Sequence, residues 1–139
     1  MTDTEQARQQ AVAQVESIEE MIEALHEAQE DGEAKLYDTM LDEEGVLEVV
    51  QEDPLSVEVR SGWYIPGSEE GNKPSEFNIL LCTGGPAVRL IGDLDTYGEP
   101  DHVRVQYQDW GTPWVELFSI SDDQRAALLE YCQNFYFSD

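Results

Sequence analysis

The sequence predicts an α+β fold: an antiparallel sheet of about four strands, an acidic N-terminal helical region and a C-terminal helix, with helices packed on one face. Three observations lead there. Apolar residues recur at helical spacing from Ala11 to Ala28. The period changes to two between Val57 and Tyr107. Ser121, followed three residues later by Gln124, is a capping-box signature ahead of a further apolar stretch. The 139 residues are read as one domain, 1–53 forming the acidic helical part and 54–139 the sheet and last helix.

The first helix is expected over Glu5 to Glu30. Ala11, Val15, Ile18, Met21, Ile22, Leu25 and Ala28 form its apolar side. With ~100° per residue and Glu16 set at zero, Glu16, Glu20, Glu23, Glu27 and Glu30 fall within about 40° of one line on the other side. They make an acidic ridge roughly 21 Å long at 1.5 Å per residue. Asp31-Gly32 ends this helix. A second helical stretch is expected next, with Leu36, Tyr37, Met40 and Leu41 on one face and Gly45 as an interruption. Val46 to Val50 reads as helix or strand, and any helix must stop at Asp53-Pro54.

Val57, Val59 and Trp63 then alternate with Glu58, Arg60 and Gly62, as in a half-buried strand. Pro66 to Pro74 is a loop rich in turn residues. Phe77–Thr83 and Ala87–Ile91, joined by Gly84-Gly85-Pro86, read as a hairpin. Val103, Val105 and Tyr107 mark another strand, and Trp114 to Phe118 a short edge strand. The closing helix turns Leu128, Leu129, Cys132, Phe135 and Tyr136 to the core.

Charge sets the functional expectation. Asp and Glu number 31 against 7 Lys and Arg, a formal net charge of −24. From Gln9 to Val59 there are 16 acidic residues and one basic residue, Lys35. Solubility requires a net charge of magnitude only about 2–8 in a small domain, and the excess destabilises the compact state by self-repulsion. Glu16–Glu20 and Glu23–Glu27 are like-charge i,i+4 pairs, each unfavourable by ~0.2–0.5 kcal/mol. A strongly positive partner would offset that cost, and the largest positive surfaces belong to proteins that bind nucleic acid. The expected contact residues are Glu16, Glu20, Glu23, Glu27 and Glu30, a second row of Asp42, Glu43, Glu44 and Glu48, and Trp110 as an aromatic anchor. The same charge disfavours direct binding of nucleic acid or an anionic membrane. The amphipathic first helix offers a route to a homodimer.

Other chemistry is thin. No apolar run approaches the ~18 residues of a membrane span, and the expected location is cytoplasmic. Cys82 and Cys132 are expected as free thiols. Gly84-Gly85-Pro86 lacks the pattern of a phosphate loop. Asp93 and Asp95 are too few for a Ca²⁺ or Mg²⁺ site, and His26 and His102 have no metal-ligand spacing. No nucleophile elbow or Cys–His pairing is present, so no enzyme activity, metal or cofactor is expected.

Ser56 to Trp114 contains Val57-Glu58-Val59-Arg60-Ser61-Gly62-Trp63, Thr83-Gly84-Gly85-Pro86-Ala87 and Gln108-Asp109-Trp110-Gly111-Thr112-Pro113-Trp114. This stretch resembles small uncharacterised proteins of phages, prophages and plasmids. In charge and size the chain is similar to DNA-mimic anti-restriction and anti-CRISPR proteins. That resemblance implies inhibition of a host defence complex, a CRISPR effector or a restriction enzyme, by occupying its DNA-binding channel. Three alternatives stand beside it: a halophile-adapted domain, an acidic adaptor for a basic partner, and an enzyme using the Asp93–Asp109 region. The acidic excess is uneven, net −15 over residues 1–53 and −9 over 54–139, which argues against the halophile.

Overall fold

The computed structural model describes residues 3–68, 73–109 and 111–137. Helix α1 (Asp3–Asp31) leads into the strands β1 (Glu33–Leu36) and β2 (Thr39–Asp42) and helix α2 (Glu43–Glu52). Strands β3 (Ser56–Arg60), β4 (Glu76–Cys82), β5 (Ala87–Leu94), β6 (Pro100–Gln108) and β7 (Val115–Glu116) follow, then helix α3 (Asp122–Cys132). The last five strands form one antiparallel sheet in chain order, β3-β4-β5-β6-β7, and β1-β2 is a separate two-stranded hairpin. The α+β class with antiparallel strands and helices at both ends is as expected; the strand number exceeds the expected four.

Helix α1 forms because Ala, Gln and Glu dominate it and no Gly or Pro interrupts it over 29 residues. It ends at Gly32, φ +89°, whose N–H still bonds Ala28 O at 2.9 Å. All seven of its predicted apolar residues are buried, with Ala7 and Ala24 besides. They pack on β1, β5, β6, α2 and α3, so α1 is the central member of the helical layer. Burying one side chain such as Ile18 contributes about 1.5–3 kcal/mol. The apolar side of α1 is therefore covered within the chain and is not free to pair with a copy, which corrects the dimer route drawn from its amphipathicity.

Residues 33–42 are not the expected helix. Ala34 and Leu36 are buried while Glu33 and Lys35 are exposed, a period of two. The turn places Tyr37 and Asp38 at φ 51° and 64°, the signature of a two-residue type I′ turn. The Tyr37 hydroxyl lies 2.8 Å from Ser17 Oγ and ties the turn to α1. Tyr37 and Met40 are thus exposed rather than on an apolar face. Val46 to Val50 is helical: Asp42 caps α2 by accepting from Gly45 N at 2.8 Å, and the helix stops before Pro54.

In the sheet, Phe77, Ile79 and Leu81 of β4, Val88, Leu90 and Leu94 of β5, and Val103, Val105 and Tyr107 of β6 face the helices. Gly92 sits opposite Phe77 and Val103, and a Cβ there would lie 1.8 Å from His102 O. Only glycine allows β5 and β6 to approach so closely. Trp63 does not continue the β3 alternation; it follows the strand and is fully exposed. Helix α3 opens with the predicted capping box, Gln124 N donating to Ser121 Oγ and Ser121 N to Gln124 Oε1. Leu128 and Cys132 are buried as expected, but Tyr136 lies past the helix end and points outward.

Candidate functional site

With the helices on one side of the sheet, the molecule presents two faces of different chemistry. On the outer side of the helical layer Glu16, Glu20, Glu23, Glu27 and Glu30 are all exposed. They follow one line because α1 is continuous past both ends of the set. Among the described residues none of the five takes part in an ion pair. The flank of α1 is occupied instead. Gln124 Nε2 donates to Glu19 Oε1 at 2.9 Å, and His26 Nε2 lies 2.7 Å from Glu130 Oε2. Both contacts lock α1 to α3, so the ridge stands on a fixed support.

The second row divides by role. Glu43, Glu44 and Glu48 are exposed on α2, which packs on α1. Glu43 and Glu44 sit in the first turn, where the helix dipole favours negative charge. Asp42 is exposed but committed to the cap of α2. Trp110 lies outside the described residues. Trp114 packs away from the core, with Arg89 Cζ 4.0 Å from the centre of its ring.

The opposite face of the sheet, which no helix covers among the described residues, carries residues that the sequence did not single out. The strand register sets Arg60 beside Glu76, Arg104 on the row of Asn78 and Ile91, and Arg89 between Leu80 and Gln106. The three arginines, with Glu58, Glu76 and Asn78, line a hollow of about 270 Å³. Arg60 and Glu76 form an ion pair that holds the Glu76 carboxyl below its usual range and the guanidinium above its own. Burial, and then repulsion from Arg60 and Arg104, holds Arg89 below the ordinary arginine value. The sequence signal was an arginine inside the apolar run Ala87-Val88-Arg89-Leu90-Ile91. Beside the hollow, the loop after β3 exposes Trp63, Tyr64 and Ile65.

Asp93 is exposed at the end of β5, and Asp95 serves the following turn, accepting from Tyr97 N and Glu99 N at 2.8 and 3.0 Å. No group of three or more His, Cys, Asp and Glu converges as a metal site among the described residues. Both cysteines are free, and burial pushes both thiols above their ordinary value, which disfavours the thiolate. Among the described residues no helix is long and apolar enough to cross a membrane. Comparison with protein-family models, with curated proteins and with solved structures finds no match to this chain.

Proposed function

We propose that the chain is an acidic DNA mimic that occupies the positively charged DNA-binding surface of a host defence complex, a CRISPR effector ahead of a restriction enzyme. One observation carries this: five glutamates, all exposed and without ion-pair partners among the described residues, stand in line on one helix whose other side is buried. Carboxylates one helical turn apart, ~5.4 Å, approximate the spacing of successive backbone phosphates. Glu43, Glu44 and Glu48 extend the surface. A solvated face on an ordinary domain would interleave Lys or Arg, and Gln9 to Ala34 has neither. The concentration of acid on the helical layer, with arginines gathered on the sheet, supports a directed surface over a uniform adaptation to salt.

The test is capture of partners from a host lysate at low and high salt, then competition with duplex DNA. A CRISPR or restriction complex that is retained at low salt and released by duplex DNA is the expected result. Replacing Glu16, Glu20, Glu23, Glu27 and Glu30 by Gln should abolish capture while the fold persists. A partner that duplex DNA does not displace would instead make the chain an adaptor. Full capture by the five-fold variant would refute the role of the ridge.

A further inference from the structure

Three of the seven Lys and Arg residues gather at one hollow in a chain of net charge −24. Bringing guanidinium groups together is unfavourable, so their local partners matter. Arg60 is neutralised by Glu76. Arg104 Nη1 has Glu116 Oε1 at 3.8 Å, too far for a hydrogen bond. Arg89 has no carboxylate partner among the described residues.

Arg89 is nevertheless held in place. Its Nε and Nη2 both donate to Gln106 Oε1, at 2.9 and 2.7 Å, and its Cζ sits over the Trp114 ring. A guanidinium carries five N–H donors. The end-on edge, Nη1 with the second hydrogen of Nη2, has no acceptor among the described residues. Asn78, on the neighbouring strand, is likewise unused: its Oδ1 is shielded and unpartnered, and its Nδ2 donates to nothing described. Arg89 and Asn78 both line the hollow, where the guanidinium edge and the amide N–H can donate to a ligand; the shielded Oδ1 is an acceptor and takes no part in holding an anion. The floor beside them is apolar, made by Ile91 and Gly92.

We propose that this hollow binds the carboxylate of a small organic acid, gripped end-on by Arg89, with Asn78 Nδ2 donating and Arg104 as second cation. A planar two-oxygen acceptor matches the free guanidinium edge. Charge selects it as well. Glu58 and Glu76 in the lining and Glu116 beside Arg104 match the three arginines in number, so a monocarboxylate adds less unbalanced charge than a phosphate dianion inside an already negative molecule. A volume of about 270 Å³, just below the ~300–1,000 Å³ of drug-sized pockets, suits a small ligand. Ile91 and Gly92 would meet its carbon chain. This site lies across the sheet from the acidic ridge and does not rest on the proposed mimicry.

The experiment is a titration of the full ¹⁵N-labelled chain at constant ionic strength, reading the arginine Nε–H and asparagine side-chain amide signals. The probes are sodium butyrate, sodium phosphate and a hexaglutamate peptide. Butyrate should shift the Arg89 and Asn78 signals to saturation and leave Arg8 and Arg125 unmoved. Arg89→Lys keeps the charge but loses the fork, and should weaken butyrate at least tenfold. Asn78→Asp, which adds a carboxylate to the hollow, should abolish binding with the remaining spectrum intact. Uniform, unsaturating shifts of all arginines would overturn the site. Tighter saturation of the same signals by phosphate would overturn the carboxylate assignment, and saturation by hexaglutamate alone would make the face a docking surface for an acidic chain. Unchanged butyrate affinity in Arg89→Lys would remove Arg89 from it.

Discussion

The outer side of the helical layer and the uncovered side of the sheet are built from opposite solutions to charge. On α1 five glutamates repel one another along a line with no basic residue among them. On the sheet each arginine has some local support: Glu76 for Arg60, Glu116 at a distance for Arg104, Gln106 and Trp114 for Arg89. The first face is an unrelieved field, suited to long-range attraction of a large surface. The second is a small set of oriented donors, suited to one group at short range. A net charge describes neither face, because it averages a ridge and a hollow of opposite sign.

The contrast rests on the sheet staying intact between the two faces, and Gly92 is where that can be broken hardest. Gly92→Val should cost about 3 kcal/mol or more, since its side chain collides with the His102 carbonyl and Phe77. Urea unfolding should show a large fall in midpoint or no cooperative transition; a stability equal to wild type would mean that β5 and β6 are not so close.

High pH should act on the core between the faces rather than on either face. The Cys132 thiol and Tyr131 hydroxyl are both pushed upward, chiefly by burial, and for Tyr131 also by Asp53. Each raised group binds its proton more tightly folded than unfolded. Its stabilisation is therefore complete below the unfolded value, ~8.5 for the thiol and ~10 for the phenol, and is lost as pH rises above it. Stability should fall by about 1.4 kcal/mol per pH unit per group beyond those points. Cys132→Ala should show a shallower decline between pH 8.5 and 10; parallel declines would exclude the thiol as the cause.

Tyr131→Phe removes the 2.7 Å hydrogen bond to Asp53 Oδ2 that joins α3 to the end of α2. The expected loss is about 1.5–3 kcal/mol, with both faces keeping their chemistry. Ser121→Ala removes one half of the α3 capping box and should cost about 1 kcal/mol in the same assay. The smallest effect has the opposite sign. The five Glu→Gln changes on α1 relieve like-charge pairs worth ~0.2–0.5 kcal/mol each. Melting temperature at low salt should rise slightly, and the gain should vanish in 1 M salt, where screening falls to about 3 Å. A destabilised five-fold variant would mean that the ridge takes part in folding.

Much of this arrangement was legible before the structure, for identifiable reasons. The α1 stripe runs long enough for its period to be unambiguous, and each of its predicted core residues is buried. The Ser121–Gln124 box and the Gly84-Gly85-Pro86 turn are local signals read without the rest of the chain. The β1-β2 hairpin was missed because four alternating residues cannot outweigh Leu36, Met40 and Leu41, which also match a helix. Its turn uses Tyr37 at positive φ, where Asn or Gly would have announced it. Trp63 was misplaced because alternation by itself does not say where a strand ends. The arginine hollow was invisible for a different reason. Its members come from four strands, and only the register places Arg89 and Arg104 on one face with Asn78.

The order of elements has a consequence for how the chain comes to be folded. The sheet is a meander in which each strand pairs with its neighbour in sequence, so β3 to β7 can assemble by short-range steps. Helix α1 is made before any of those strands, yet its apolar side closes on β5, β6 and α3. During synthesis its stripe is covered only in part, by β1 and α2, until the chain has passed Gln108 and then supplied Asp122–Cys132. The glutamates of the same helix put like charge on every copy of the chain, which opposes association while that stripe is partly bare.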